Sequence, residues 1–106
     1  MLEKQGSITG TVADTYATVL TLQVANYEKI LIHIKNSGVS NTLDYKIFGY
    51  ALNGGDLYEE IPAETILATS TTDSIKIANT AYATLVIQMQ KNTTAATYAI
   101  EYCLKR

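Results

Sequence analysis

The stretch Glu28-Lys29-Ile30-Leu31-Ile32-His33-Ile34-Lys35 decides the fold. Isoleucine stands at 30, 32 and 34, so an apolar stripe runs with a period of two. A helix would spread those side chains around its axis, whereas a strand puts them on one face. Ile30, Ile32 and Ile34 are therefore expected to point inward, and Leu31, His33 and Lys35 outward.

The same period runs through most of the chain. Ala83, Leu85, Ile87 and Met89 alternate with Thr84, Val86, Gln88 and Gln90 over 82–90. Tyr98, Ile100, Tyr102 and Leu104 form the inward set of a last strand over 97–104, with Thr97, Ala99, Glu101 and Cys103 outward. Upstream, a short first strand is expected over 8–13. A clearer one over 16–24 sets Tyr16, Thr18, Leu20, Leu22 and Val24 against Ala17, Val19, Thr21 and Gln23. A long strand over 42–52 turns Leu43, Tyr45 and Ile47 inward. Phe48, Tyr50 and Leu52 then lie on the opposite face, so Gly49 is a candidate bulge or bend.

Asn53-Gly54-Gly55-Asp56 is a hairpin turn, because these residues accept positive φ cheaply. It leads into a strand over 57–61, which Pro62 ends. Residues 63–70 read equally as a helical turn or a short strand. Thr71-Thr72-Asp73 is expected to turn the chain into a strand over 74–78, with Ile75 and Ile77 on one face. Asn26-Tyr27 and residues 36–41 and 91–95 read as turns or loops.

Eight or nine short strands on tight turns, without linker or repeat, is the spacing of a sandwich or barrel. The expectation is an all-β, two-sheet antiparallel β-sandwich, jelly-roll-like, with one domain over 1–106. Residues 1–7 are expected to form a flexible or partner-contacting arm. An immunoglobulin-like sandwich is the second choice, without that fold's Trp and cysteine pair.

Composition narrows the function. The chain has 106 residues, with Lys plus Arg 8, Asp plus Glu 10 and net charge -2. That balance lacks the basic footprint of a nucleic-acid binder and any polybasic handle for anionic lipid. No stretch approaches the roughly 20 apolar residues of a membrane helix. Met1 to Ser7 has no apolar h-region, which argues against a signal peptide and for synthesis in a reducing cytoplasm. The single cysteine excludes an intrachain disulfide and a Cys-based zinc site. Fifteen Thr and eight Tyr suit a pleated surface.

Candidate chemistry is sparse. His33 is the only histidine, and Cys103 sits near the chain's end; neither lies in a nucleophile or metal motif. Asp56, Glu59, Glu60 and Glu64, with Asp73 in reach, read as an acidic rim without calcium-loop spacing. Glu59 and Glu60 would face opposite ways on a strand, which counts against a glycosidase pair. Asn92-Thr93-Thr94 matches the N-glycosylation pattern by chance. Tyr27, Tyr50, Tyr58 and Tyr82 could form a sugar-stacking platform. No catalytic, cofactor-binding or metal residue is assigned, and no cofactor is expected.

Several strands are apolar on both faces: Val19 against Leu20, Leu31 against Ile32, Phe48 against Ile47, and Val86 against Ile87. A monomeric sandwich should alternate more cleanly, so a partner is expected to cover part of the outer surface.

The stretches Tyr82 to Thr94 and Tyr98 to Arg106 resemble the closing hairpin of small all-β proteins from tailed-phage virions. Asn41 to Tyr50 resembles a middle strand of the same proteins. The resemblance covers about half the chain and carries no functional residue. It implies a non-enzymatic structural protein of the virion, such as a capsid decoration or head or tail accessory protein. It implies a homo-oligomer, commonly a trimer, docked on a larger assembly such as a capsid. Nucleic acid and membrane are not expected partners. The competing reading is a small carbohydrate- or ligand-binding module, with an enzyme third.

Overall fold

A computed structural model describes residues 3–12, 14–38, 42–61, 65–68, 70–79, 81–91 and 96–106. The described residues contain nine strands. They are β1 (Glu3–Thr11), β2 (Ala17–Gln23), β3 (Lys29–Asn36), β4 (Leu43–Tyr50), β5 (Tyr58–Glu60), β6 (Thr65–Leu67), β7 (Thr72–Ala78), β8 (Thr84–Lys91) and β9 (Thr97–Lys105). Sheet A has the order β1-β9-β3-β7; sheet B has the order β2-β8-β4-β5, with β6 also on β4. Every pairing is antiparallel. Strands β1 to β4 alternate between the sheets, and β7 to β9 alternate back between them. That order is the double Greek key of a jelly roll, as expected.

The isoleucine stripe of β3 lies in the centre of sheet A and is fully enclosed. Ile30, Ile32, Ile34, Ile100 and Leu104 meet Leu22, Leu43, Tyr45, Ile47, Leu85, Ile87 and Met89 of sheet B. Each CH₂ so buried contributes about 0.8 kcal/mol. The inward faces read from β3, β8 and β9 are those observed.

Four expectations change. Residues 3–7 are not an arm but the first half of β1, paired with β9 from Glu3 opposite Lys105. The strand was hard to read because Gly6 and Gly10 supply no inward side chain. The rings of Tyr102 and Tyr98, directly opposite on β9, fill those places. A Cβ on Gly6 would stand 2.4 Å from the Tyr102 hydroxyl oxygen. In β2 the register slips between Thr18 and Leu20, a bulge at Val19. Val19 and Leu20 therefore both pack against the core, and the predicted single inward row breaks there.

Gly49, by contrast, is no bulge: β4 keeps continuous register with β5 and β8 through it. A Cβ there would sit 2.4 Å from Tyr82 Cε1 and 2.8 Å from Ile61 Cδ1. Glycine at 49 makes room for Tyr82, and the apolar residues beside it belong to the outer face. Finally, the turn before β7 is Ala68 to Thr71, not 71–73. Thr71 N–H donates to the Ala68 carbonyl at 3.3 Å, and Ser70 has φ 57. Within 63–70, residues Thr65–Leu67 are strand.

Two buried asparagines tie the ends of the sandwich. Asn36 Nδ2 donates to the Leu67 carbonyl at 3.2 Å, and its Oδ1 accepts from Gly38 N–H at 3.0 Å. At the other end, Asn79 Nδ2 reaches the carbonyls of Val24, Tyr27 and Tyr82 at 2.8, 3.0 and 3.1 Å. Its Oδ1 accepts from the N–H groups of Ala81 and Tyr82. The β2–β3 turn and the β7–β8 connection are thereby locked together.

Candidate functional site

Among the described residues the exposed large apolar side chains gather at the β4–β5 hairpin. Tyr50 pairs with Tyr58, so residues 51–57 form the loop. Gly54 adopts φ 72, the conformation that makes glycine useful there. Gly55 N–H closes back on the Leu52 carbonyl at 3.2 Å, and Thr84 Oγ1 donates to Asn53 Oδ1. The loop so anchored presents Leu52 70% exposed and Leu57 86% exposed, next to Tyr58 at 59%.

An aromatic cluster continues this patch onto the outer face of sheet B. The Tyr58 ring lies edge-on to Phe48 at 4.9 Å and tilted to Tyr50 at 5.4 Å. Val86 stands opposite Phe48 in register. Further along the same face, Lys46 Nζ sits 4.3 Å from the centre of the Tyr16 ring. Asp44, on the side of β4 opposite Tyr45, is buried, with Oδ2 accepting from Gln90 Nε2 at 3.3 Å. The outer face of sheet A differs. Glu3, Gln5, Ser7, Lys29, His33, Lys35, Ser74, Lys76, Glu101 and Lys105 surround Leu31 and Cys103, its apolar spot.

The singled-out residues fall in separate places. His33 Nδ1 lies 2.8 Å from Ser74 Oγ, with Glu101 opposite it in register. Cys103 shares this face, its thiol donating to Glu3 Oε1 at 3.6 Å. Glu59 and Glu60 point to opposite faces, as expected for a strand. Glu60 stands opposite Phe48, whereas Glu59 accepts a hydrogen bond from the Tyr82 hydroxyl. Asp73 accepts from the Tyr45 hydroxyl at 2.8 Å. Tyr45 is four residues from Gly49, the partner of Glu59, roughly 13 Å along the strand. Glu59 thus does not converge with Asp73. Among the described residues no group of three or more His, Cys, Asp or Glu could hold a metal ion. Pro62, Glu64 and Asn92-Thr93-Thr94 lie outside the described residues.

The four tyrosines of the imagined platform divide into two pairs. Tyr50 and Tyr58 join the hairpin patch. Tyr27 and Tyr82 line an open cleft of about 740 Å³ at the Asn79 end, with Ala25, Ala51, Ala78 and Glu28 among its other walls. Sequence reasoning missed Asn79; its Asx-type bonds to Ala81 and Tyr82 are the local signal that could have found it.

No family model matches this chain, and no curated protein matches it. Solved structures do. One, of Bacillus endospore appendages that form a family of disulfide-linked pili, has TM-score 0.64 and 9% identity. The match covers 98% of this chain and 87% of that one. Another, the Yersinia pseudotuberculosis-derived mitogen, has TM-score 0.62 and 10% identity, covering 99% of this chain and 88% of the other. These likenesses establish a shared small all-β fold.

Proposed function

We propose that this chain is a non-enzymatic structural protein that assembles with itself and docks on a larger particle. The observation that carries the reading is the hairpin patch: Leu52, Leu57 and Tyr58 exposed, with half-buried Tyr50 beside them and buried Phe48 packed against the Tyr58 ring. Exposed leucines scattered singly mean nothing, but a contiguous apolar and aromatic patch with a polar rim marks an association surface. Burying Leu and Tyr there would drive assembly, and the surrounding Glu60, Thr and Gln groups would set its register. The fold likeness to a pilus-forming appendage protein supports the structural side of this reading.

The finer form of the proposal is a virion component of tailed-phage type, such as a capsid decoration protein. If the patch docks on a different surface of the next copy, the contact gives a ring where the rotation closes and an open filament where it does not; a closed trimer is the favoured form. Decoration would stabilise a shell by linkage, since binding favours the assembled state. The test is a Leu52→Asp/Leu57→Asp variant compared with wild type by light scattering. Loss of the oligomer with an unchanged melting temperature supports the patch, and an unchanged mass refutes it.

The cleft between Tyr27 and Tyr82 favours a second reading, a carbohydrate-type ligand module. Titration calorimetry against a glycan panel, with and without calcium, tests it, and silence throughout removes it.

A further inference from the structure

Among the described residues the two sheets leave four edges, and three are blunted against further pairing. β2 carries the bulge at Val19. The opposite edge of sheet B is divided between β5 and β6, three residues each. β7 bears Asp73 and Lys76. β1 has no bulge and no break, and its charges, Glu3 and Lys4, are confined to its first two residues. It runs nine residues in unbroken register with β9, contains no proline, and carries no charge from Gln5 to Thr11.

The hydrogen-bond phase of this edge can be read. Val12 N–H donates to the Ala96 carbonyl at 2.8 Å, and Ser37 N–H donates to the Thr97 carbonyl at 3.0 Å. Antiparallel bonding alternates by residue. The even-numbered residues of β1 therefore bond β9. Glu3, Gln5, Ser7, Thr9 and Thr11 turn their N–H and C=O groups toward the open edge.

We infer that this edge pairs with β1 of a second copy, antiparallel about a two-fold axis at Ser7, joining two A sheets into one. The inference rests on the self-association proposed above and assigns it a second, separate contact. Length and phase agree on it. Complete overlap of Glu3–Thr11 with itself must centre on Ser7, and that register sets the outward-facing groups of all five odd residues against one another. Charge agrees too. Glu3 then faces Thr11 of the second copy and Lys4 faces Gly10, so no like charges meet. The strand is also held ready to its rim, because the Tyr98 and Tyr102 rings occupy the space over Gly10 and Gly6. Such an isologous contact is the commonest oligomer interface. It gives even multiples of the chain, and six copies if a three-fold contact forms through the hairpin.

Thr9→Pro tests it, since the Thr9 N–H serves no bond to β9, whereas proline removes a donor from the edge and blocks approach. Thr9→Lys repeats the test without altering the backbone. Light scattering is expected to give half the wild-type mass for both, with the β-sheet circular dichroism retained. In a Cys103→Ser background, a short bis-maleimide is expected to link Ser7→Cys into dimers and to leave Glu3→Cys unlinked. Wild-type mass in both Thr9 variants, or equal linking at 3 and 7, overturns the edge pairing. If the Leu52→Asp/Leu57→Asp variant alone dissociates, the edge inference fails and the self-assembly reading stands. A wild-type chain that is monomeric at every concentration sinks both.

Discussion

At the scale of single residues, the side chains that hold the sandwich closed are small and polar. Asn79 gathers five hydrogen bonds in a buried site, and its backbone N–H donates to the Glu28 carbonyl as well. Asn79→Ala would leave buried carbonyls and the Tyr82 N–H without that partner. Each such loss costs about 1–3 kcal/mol. Urea unfolding is expected to show a destabilisation of roughly 3 kcal/mol, the sum of two or three such losses. A change under about 0.5 kcal/mol, the level of an ordinary surface substitution, would mean that water replaces the clamp. Gly49 and Gly54 make a contrasting pair. Gly49→Ala drives a Cβ into Tyr82 and Ile61, an overpacking defect of about 1–3 kcal/mol. Gly54→Ala meets no neighbour and suffers only from its positive φ, about 1 kcal/mol. Thermal melts of the two variants should rank Gly49→Ala as the more damaging, and the reverse order would contradict the close approach of Tyr82. The local sequence hinted at Gly54, which sits in an Asn-Gly-Gly-Asp turn. It misdirected at Gly49, whose need arises from a ring more than thirty residues away.

Among the elements, period two was readable wherever one face is enclosed. β3, β8 and β9 obey it because each lies inside a sheet, with neighbours on both sides. The edges were less readable. β1 borrows its inward bulk from Tyr98 and Tyr102, and β2 breaks step at a bulge flanked by two apolar residues. β6 is only three residues long, too short for its alternation to be distinguished from a helical turn. The two faces of β3 provide a direct check. Ile32→Ala removes a fully enclosed side chain and should cost about 2–5 kcal/mol. Leu31→Ala, on the half-covered outer face, should cost under about 1 kcal/mol. Chemical denaturation of both variants measures the difference. Equal losses would mean that the outer face of sheet A is also packed in solution, which implicates a partner there.

For the whole molecule, the sequence anticipated the sandwich and its jelly-roll order better than its surface. It located apolar residues on both faces of several strands, but not where they gather. Val19 and Leu20 are apolar because of the bulge, whereas Phe48, Tyr50 and Tyr58 converge only when β4 and β5 pair. The candidate site was therefore legible as a surplus of greasy side chains and not as a place. That surplus concentrates on the hairpin end of sheet B, while sheet A presents a mostly polar outer face with one long, unblunted edge. Self-assembly is the claim that joins these features. The most direct measurement is the solution mass of the purified chain by light scattering across a hundredfold range of concentration. A discrete oligomer that dissociates toward monomer on dilution is expected. A clean monomer at the highest concentration would contradict it.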